Sequence, residues 1–258
     1  MILSRVPNKS LIRRALCLPL RLIPKEAQVR ILQGPLHGKR WIAGSSNHGW
    51  WLGTYEYEKQ RAFSTVVRAG DAVYDLGANV GFYSLLASFL VGSEGQVFSF
   101  EPLSRNLSFL RRHLDLNQIT NCSVFDVAVS SSNGLAGFDF GPTPCQGHLT
   151  SESKAALTVR TATLDSLVAS GKLPPPNVIK CDIEGGEYDA LTGARDTLSR
   201  YLPSIFLATH GPEVHARCCE LLSSIGYNLT PLDELSLNQS REILAAGWPG
   251  TATAAHTN

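Results

Sequence analysis

The sequence lacks a charge surplus: among its 258 residues, 23 Lys and Arg stand against 22 Asp and Glu. Without a basic field it is not built to hold nucleic acid as its main partner. It lacks any C-x-x-C pair, and its six cysteines (Cys17, Cys122, Cys145, Cys181, Cys218 and Cys219) show no zinc spacing with histidine. That excludes a zinc ribbon and, at this length, a disulfide-stapled miniprotein. Buried thiols in a reducing cytoplasm are expected instead. No apolar run reaches the roughly 20 residues of a membrane span. Arg5, Lys9, Arg13 and Arg14 precede the apolar residues 15–20, yet that stretch is short, Arg21 follows it, and no small-x-small site is present. It does not read as a secretory leader. Leu11, Ile12, Ala15 and Leu16 fall at helical spacing beside arginines, so a helix packed on the domain is expected, with peripheral membrane contact as a second reading. Internal repeats are also absent.

What is present is enough apolar residue, 43%, for a full core. Residues 1–60 hold three of the four tryptophans together with several Gly and Pro, and are expected to form an N-terminal cap. Residues 61–246 form the main domain, and the Gly/Thr/Ala tail at 247–258 is expected to be disordered. From Gly70 the chain alternates apolar strands with amphipathic helices. Strands are expected at 71–76, 96–100, 122–125, 178–182 and 204–208, and helices at 81–91, 104–117, 163–168, 187–198 and 214–225. Two further extended segments, 135–140 and 157–160, flank a Gly/Pro/Ser-rich loop, and 227–230 with 242–245 read as a closing hairpin. This order predicts a Rossmann-like α/β fold: a mostly parallel seven-stranded sheet with helices on both faces. Such sheets bind ligands beyond the C-terminal ends of their strands.

After the first of these strands comes Asp75-Leu76-Gly77-Ala78-Asn79-Val80-Gly81. Gly77 is expected to let the backbone turn and approach a ligand, and Gly81 to let the next helix pack close. The paired glycines of G-x-G-x-x-G are missing, so a pyrophosphate cradle is not indicated. The second strand runs into Glu101, 26 residues beyond Asp75. A carboxylate there accepts hydrogen bonds from ribose hydroxyls. With no Lys or Arg expected nearby, a nucleoside without phosphates suits the site. The third strand ends at Asp126, which is placed to accept from an adenine amine, with a solvated strand-end acid as the equal alternative.

The fourth strand ends in Lys180-Cys181-Asp182-Ile183-Glu184-Gly185-Gly186-Glu187. Asp182 and Glu184, two apart, point the same way from an extended chain. Such a pair serves acid–base chemistry or holds a hard cation. His210, after the next strand, falls on the same edge and is a candidate base, with a hydrogen-bonded loop histidine as the other reading.

These motifs together, with Phe100-Glu101-Pro102, Asn117 and Trp51-Leu52-Gly53-Thr54-Tyr55-Glu56, resemble the FkbM family of class I methyltransferases that use S-adenosylmethionine (SAM). The resemblance covers roughly residues 49–227. It implies O-methylation of a hydroxyl on a sugar, glycan or small natural product. It also implies that Asp75, Gly77, Ala78, Asn79 and Gly81 contact SAM, that Glu101 holds the ribose, and that Asp182 and Glu184 lie at the reaction edge. Asp182, Glu184 or His210 would activate the acceptor, alone or through a divalent ion. The acceptor pocket is expected from Trp50, Trp51 and Tyr55 of the cap and from the loop at 142–153. Rival readings are a nucleotide-dependent oxidoreductase, which the missing glycine pattern disfavours, a non-catalytic SAM-binding domain, and an RNA methyltransferase, which the balanced charge disfavours.

Overall fold

The computed structural model describes residues 19–141, 147–150 and 155–247. The expected N-terminal helix, Cys17 and Cys145, most of the loop at 142–153 and the tail beyond Gly247 lie outside them. A 3-10 turn at Pro19–Leu22 leads into an antiparallel hairpin, β1 (Gln28–Arg30) and β2 (Arg40–Ile42). Two short helices follow, α1 (Gly49–Leu52) and α2 (Tyr57–Val66). Ile31, Leu36, Trp41, Trp50 and Trp51 of this segment share one buried cluster with Phe63, Val73, Phe82, Leu85 and Phe206. The segment is therefore fastened to the sheet by common core.

The alternating part begins with β3 (Ala72–Leu76), α3 (Phe82–Val91), β4 (Gln96–Phe100), α4 (Ser104–Leu116) and β5 (Cys122–Phe125). An insertion follows: β6 (Ala128–Val129), β7 (Gly134–Phe140), β8 (Gly147–Thr150) and β9 (Leu157–Ala162) form a separate four-stranded sheet in the order β6-β9-β7-β8. The two extended segments expected at 135–140 and 157–160 are its antiparallel pair β7 and β9. The chain re-enters the main layer through α5 (Leu164–Ala169), where the Thr163 hydroxyl accepts from Ser166 N at 3.1 Å as an N-cap. Then come β10 (Val178–Cys181), α6 (Glu187–Thr192), α7 (Arg195–Tyr201), β11 (Ser204–Ala208), α8 (Pro212–Ile225), β12 (Tyr227–Pro231) and β13 (Glu242–Gly247).

The main sheet has seven strands in the order β12-β13-β11-β10-β3-β4-β5. Strands β11, β10, β3, β4 and β5 pair in parallel, while β13 runs antiparallel to both neighbours. All five residues of β3 are buried, as in a parallel strand covered on both faces. The strand order reverses between β3 and β10, and the ligand-binding crevice of this architecture lies at that switch point.

One expectation is corrected. A single helix over 187–198 breaks into α6 and α7 at Gly193. A Cβ on Gly193 would sit 2.1 Å from the Ser130 carbonyl oxygen, so only glycine allows this approach. The Asp165 carboxylate then caps the new helix, accepting from Asp196 N at 3.1 Å and Thr197 N at 2.8 Å.

Candidate active site

A cavity of about 430 Å³ opens at the C-terminal ends of β3, β4 and β10. One end of it is built by the turn after β3. Gly77 N and Ala78 N donate to the Phe100 carbonyl at 3.0 Å each, which folds the turn against β4. Asn79 has a left-handed backbone, φ 51°, and its side-chain oxygen accepts from Val80 N at 2.8 Å. Asn79 N in turn donates to Glu101 Oε2 at 2.8 Å. Leu103 N and the Asn106 amide donate to Glu101 Oε1 at 2.9 and 3.3 Å. Glu101 is only 5% exposed, and burial pushes its carboxyl up to about 7 against the opposing pull of these donors. Leu103, Ala128, Val129, Phe138 and Leu149 supply an apolar wall beside it.

Gly77, Ala78, Asn79 and Glu101 line the cavity, whereas Asp75 and Gly81 stand behind its wall. Gly77, at φ 73°, does more than admit a ligand. A Cβ there would lie 2.1 Å from the Asp182 carbonyl oxygen, so this glycine lets the exit of β10 press against the turn. Gly81, at φ 91°, brings α3 against Leu110 of α4 as expected, a Cβ there falling 3.0 Å from the Leu110 side chain. Asp75 is buried and accepts from Ser84 Oγ at 2.6 Å. Asp126 lies outside the cavity lining, 54% exposed, with its carboxylate 3.6 Å from Arg160.

The other end is built where β10 and β11 stop. The strand ends at Cys181, and Glu184 has a left-handed backbone, φ 57°. The two carboxylates therefore converge through a turn, and the simple two-residue alternation expected for an extended chain does not apply. His210 Nε2 lies 3.7 Å from Asp182 Oδ1 and 3.6 Å from Glu184 Oε2. Its other ring nitrogen, Nδ1, is 2.9 Å from Glu187 Oε1. Glu187 is fully buried and also accepts from Gly185 N at 2.9 Å and Ile183 N at 3.3 Å. The hydrogen bond to Glu187, reinforced by Asp182 and Glu184, raises the His210 imidazole to about 9.

The expectation that no Lys or Arg stands nearby is overturned. Lys180, facing the cavity from β10, donates to the Gly77 carbonyl at 3.2 Å and sits 3.5 Å from Asp75 and 3.7 Å from Asp182. Lys59, from α2, is 4% exposed and lies 2.7 Å from Glu242, 3.4 Å from Glu56 and 3.9 Å from Asp182. Burial alone would raise the Asp182 carboxyl, but Lys180, Lys59 and His210 more than offset it and hold the group below the usual range. Both lysines are matched by carboxylates, so they leave no net positive field for phosphates. These lysines have no recognisable spacing in the sequence, nor has Phe138, whereas Gly147 and Leu149 come from the loop at 142–153 expected to line the pocket.

Trp50 and Tyr55 of the cap stack at 3.9 Å and line the cavity with Tyr83, whose hydroxyl donates to Glu56 at 3.0 Å. Trp51 points elsewhere: its indole N–H donates to His48 at 3.2 Å, and it does not line the cavity. Arg105 completes the rim, donating to the Ser45 carbonyl at 3.0 Å.

With this geometry in place, the model of the methyltransferase FkbM domain matches residues 75–229. The chain belongs to the FkbM methyltransferase family. Hexuronic acid methyltransferase AglP of Haloferax volcanii is 31% identical over 128 residues, which are 50% of this chain and 52% of the relative. A crystal structure of methyltransferase FkbM from Methylobacillus flagellatus aligns at a TM-score of 0.50 and 19% identity, covering 77% of this chain and 53% of that one. At that identity the likeness concerns the fold, which is the Rossmann-like methyltransferase fold expected from the sequence. The chain thus spans about half the length of these relatives. The FkbM match begins at Asp75, so Trp50, Tyr55 and Lys59 of the cavity region lie outside it. Among the described residues no helix is long and apolar enough to cross a membrane.

Proposed function

We propose that this protein transfers the methyl group of SAM to a hydroxyl of a sugar or glycan acceptor. The observation that carries the reading is a single cavity with Glu101 at one end and Asp182, Glu184 and the Lys180 ammonium at the other. Its volume suits a nucleoside-sized ligand. The buried carboxylate of Glu101 matches two ribose hydroxyls, and the wall of Leu103, Ala128, Val129, Phe138 and Leu149 matches an adenine ring. Lys180 is matched by carboxylates, and Arg105 at the rim is held by the Ser45 carbonyl and the Asn106 side chain. The residues present therefore fit SAM, with Gly77, Ala78 and Asn79 against its amino-acid arm.

SAM supplies an activated methyl carbon, to which the acceptor oxygen bonds as the carbon–sulfur bond breaks and its electron pair stays on sulfur. The protein's own task is alignment and proton removal. Trp50, Tyr55 and Tyr83 offer flat faces for the acceptor ring. Asp182 is held ionised by two lysines and is a weak base, and His210 already carries a proton at neutral pH. Glu184 is then the group that takes the hydroxyl proton. The name of the Haloferax volcanii relative makes a uronic acid the first acceptor to try. The four described cysteines are unpaired, which fits the cytoplasm. The test is transfer of labelled methyl from SAM to a panel of uronic acid and neutral hexose glycans. Tight SAM binding with no transfer to any of them would favour a non-catalytic SAM-binding domain.

A further inference from the structure

We propose that Asp182, Glu184 and His210 form a divalent-cation site at the reaction end of the cavity, with Glu187 orienting the histidine. One ligand atom from each of the three residues lies within 4.8 Å of the others. His210 Nε2 is 3.7 Å from Asp182 Oδ1 and 3.6 Å from Glu184 Oε2. Donor atoms around one ion at bonds of about 2.1 Å stand about 3.0–3.4 Å apart. The two separations from His210 need a contraction of a few tenths of an ångström, and the carboxylates of Asp182 and Glu184, within 4.8 Å of each other, close on the ion by turning their side chains.

The surroundings specify which atoms face the ion. Lys59 and Lys180 sit on Asp182 Oδ2, which leaves Oδ1 directed at His210. Glu187, on α6 and outside the ligand set, engages His210 Nδ1, so Nε2 faces the two carboxylates. A histidine whose second nitrogen donates to a buried carboxylate is the usual outer arrangement of a metal-bound imidazole.

Charge gives an independent argument. Among the described residues, six carboxylates (Glu56, Asp75, Asp182, Glu184, Glu187 and Glu242) lie within 4 Å of three cationic side chains, Lys59, Lys180 and His210. Glu187 is fully buried, and its Oε2 has no hydrogen-bond partner. A buried anionic surplus of this kind is relieved by a further cation. One imidazole and two carboxylates suit Mn²⁺, Mg²⁺ or Zn²⁺ and give no soft thiolate for Cu⁺. Asp182 and Glu184 line the cavity, so open positions on the ion face the acceptor. On the methyltransferase reading, to which this part of the inference is tied, a bound ion would displace the proton from His210 Nε2 and acidify the acceptor hydroxyl, and the Glu184 oxygen that does not hold the ion would take that hydroxyl's proton.

The test is calorimetric titration of Mn²⁺ into the full chain, stripped with EDTA and dialysed, with neither SAM nor acceptor present. One ion per chain is expected. Glu184→Gln and His210→Gln should each weaken binding at least tenfold, and Glu187→Gln tenfold to a hundredfold. Thermal unfolding of each variant reports whether it is folded, and SAM is titrated separately. No saturable binding of Mn²⁺, Mg²⁺ or Zn²⁺ overturns the site. So does binding that folded Glu184→Gln and His210→Gln leave unchanged. SAM binding without ion binding removes the cation alone, whereas failure of both removes the methyltransferase reading as well.

Discussion

Glu101 gives the sharpest quantitative test. Its carboxyl titrates at about 7, well above the ordinary 4.5, because burial penalises the charge more than Asn79 N, Leu103 N and the Asn106 amide support it. Two ribose hydroxyls both donate, so they bind the ionised form. About a tenth of free protein is ionised at pH 6 and about nine-tenths at pH 8, which makes SAM about tenfold weaker at pH 6, or about 1.4 kcal/mol. Stability carries the opposite sign. The folded state holds the proton more tightly than the unfolded chain, so stability falls as pH rises from 4.5 to 7, by about 3 kcal/mol. Glu101→Gln does not recover that loss in full. Its amide NH₂ faces one of the two backbone N–H donors, and an unpaired buried donor costs about 1–3 kcal/mol. The assay is calorimetry of SAM binding at pH 6, 7 and 8 for the wild type and Glu101→Gln, the variant subtracting any titration of the ligand itself. A wild-type affinity flat over that range, or a slope that survives in Glu101→Gln, refutes the assignment of ribose binding to this carboxylate.

Three further outcomes follow from the geometry. Gly77→Ala puts a methyl 2.1 Å from the Asp182 carbonyl at φ 73°, and left-handed strain plus overpacking should cost about 2–5 kcal/mol in urea unfolding, with SAM binding lost. A variant within 1 kcal/mol of wild type, on the same scale, would show that the turn and β10 are not locked together. His113 is fully buried, its Nε2 accepting from Ile42 N at 3.1 Å and its Nδ1 bonding the Val80 carbonyl at 2.7 Å; burial lowers it to about 4. Since the unfolded chain binds the proton first, the contribution of His113 falls by about 3 kcal/mol as pH drops from 6.5 to 4, against the opposite contribution of Glu101, so His113→Asn should gain stability relative to wild type as pH drops through that range in denaturation curves. Lys59→Met strips the cation from Glu242, Glu56 and Asp182 and should cost about 3–5 kcal/mol, read as a fall in unfolding midpoint; an unchanged midpoint would mean those carboxylates do not depend on it.

The parts legible in the sequence are those set by local pattern. The strands β3, β4, β10 and β11 show as short apolar runs because both faces of a parallel sheet are covered. Gly77 and Gly81 show because their backbone lies at positive φ, and Asp182, Glu184 and His210 because strand ends are easy to place. What failed depends on distant chain. The break at Gly193 is set by Ser130, more than sixty residues away. Lys180 carries no signal in the sequence because its partner Asp75 meets it only across β3 and β10. Asp126 was placed by its strand, but the inserted sheet brings Arg160 to it at the surface. Glu187 sits inside the motif, and only the folded loop shows that it faces His210.

The hairpin of β1 and β2 is pinned to α4 by Ile42 N on His113 and by Arg40 N on Asn117 at 2.9 Å. It stands upstream of the stretch matched to the family, together with Trp50 and Tyr55, the faces proposed to take the acceptor. A cut at Asp75 would remove Ala72–Tyr74 of the buried strand β3 as well, so the upstream chain is part of the sheet and not only of the cavity wall. On the proposed function, exchanging the segment before β3 between family members would change what is methylated while the source of the methyl group stays the same.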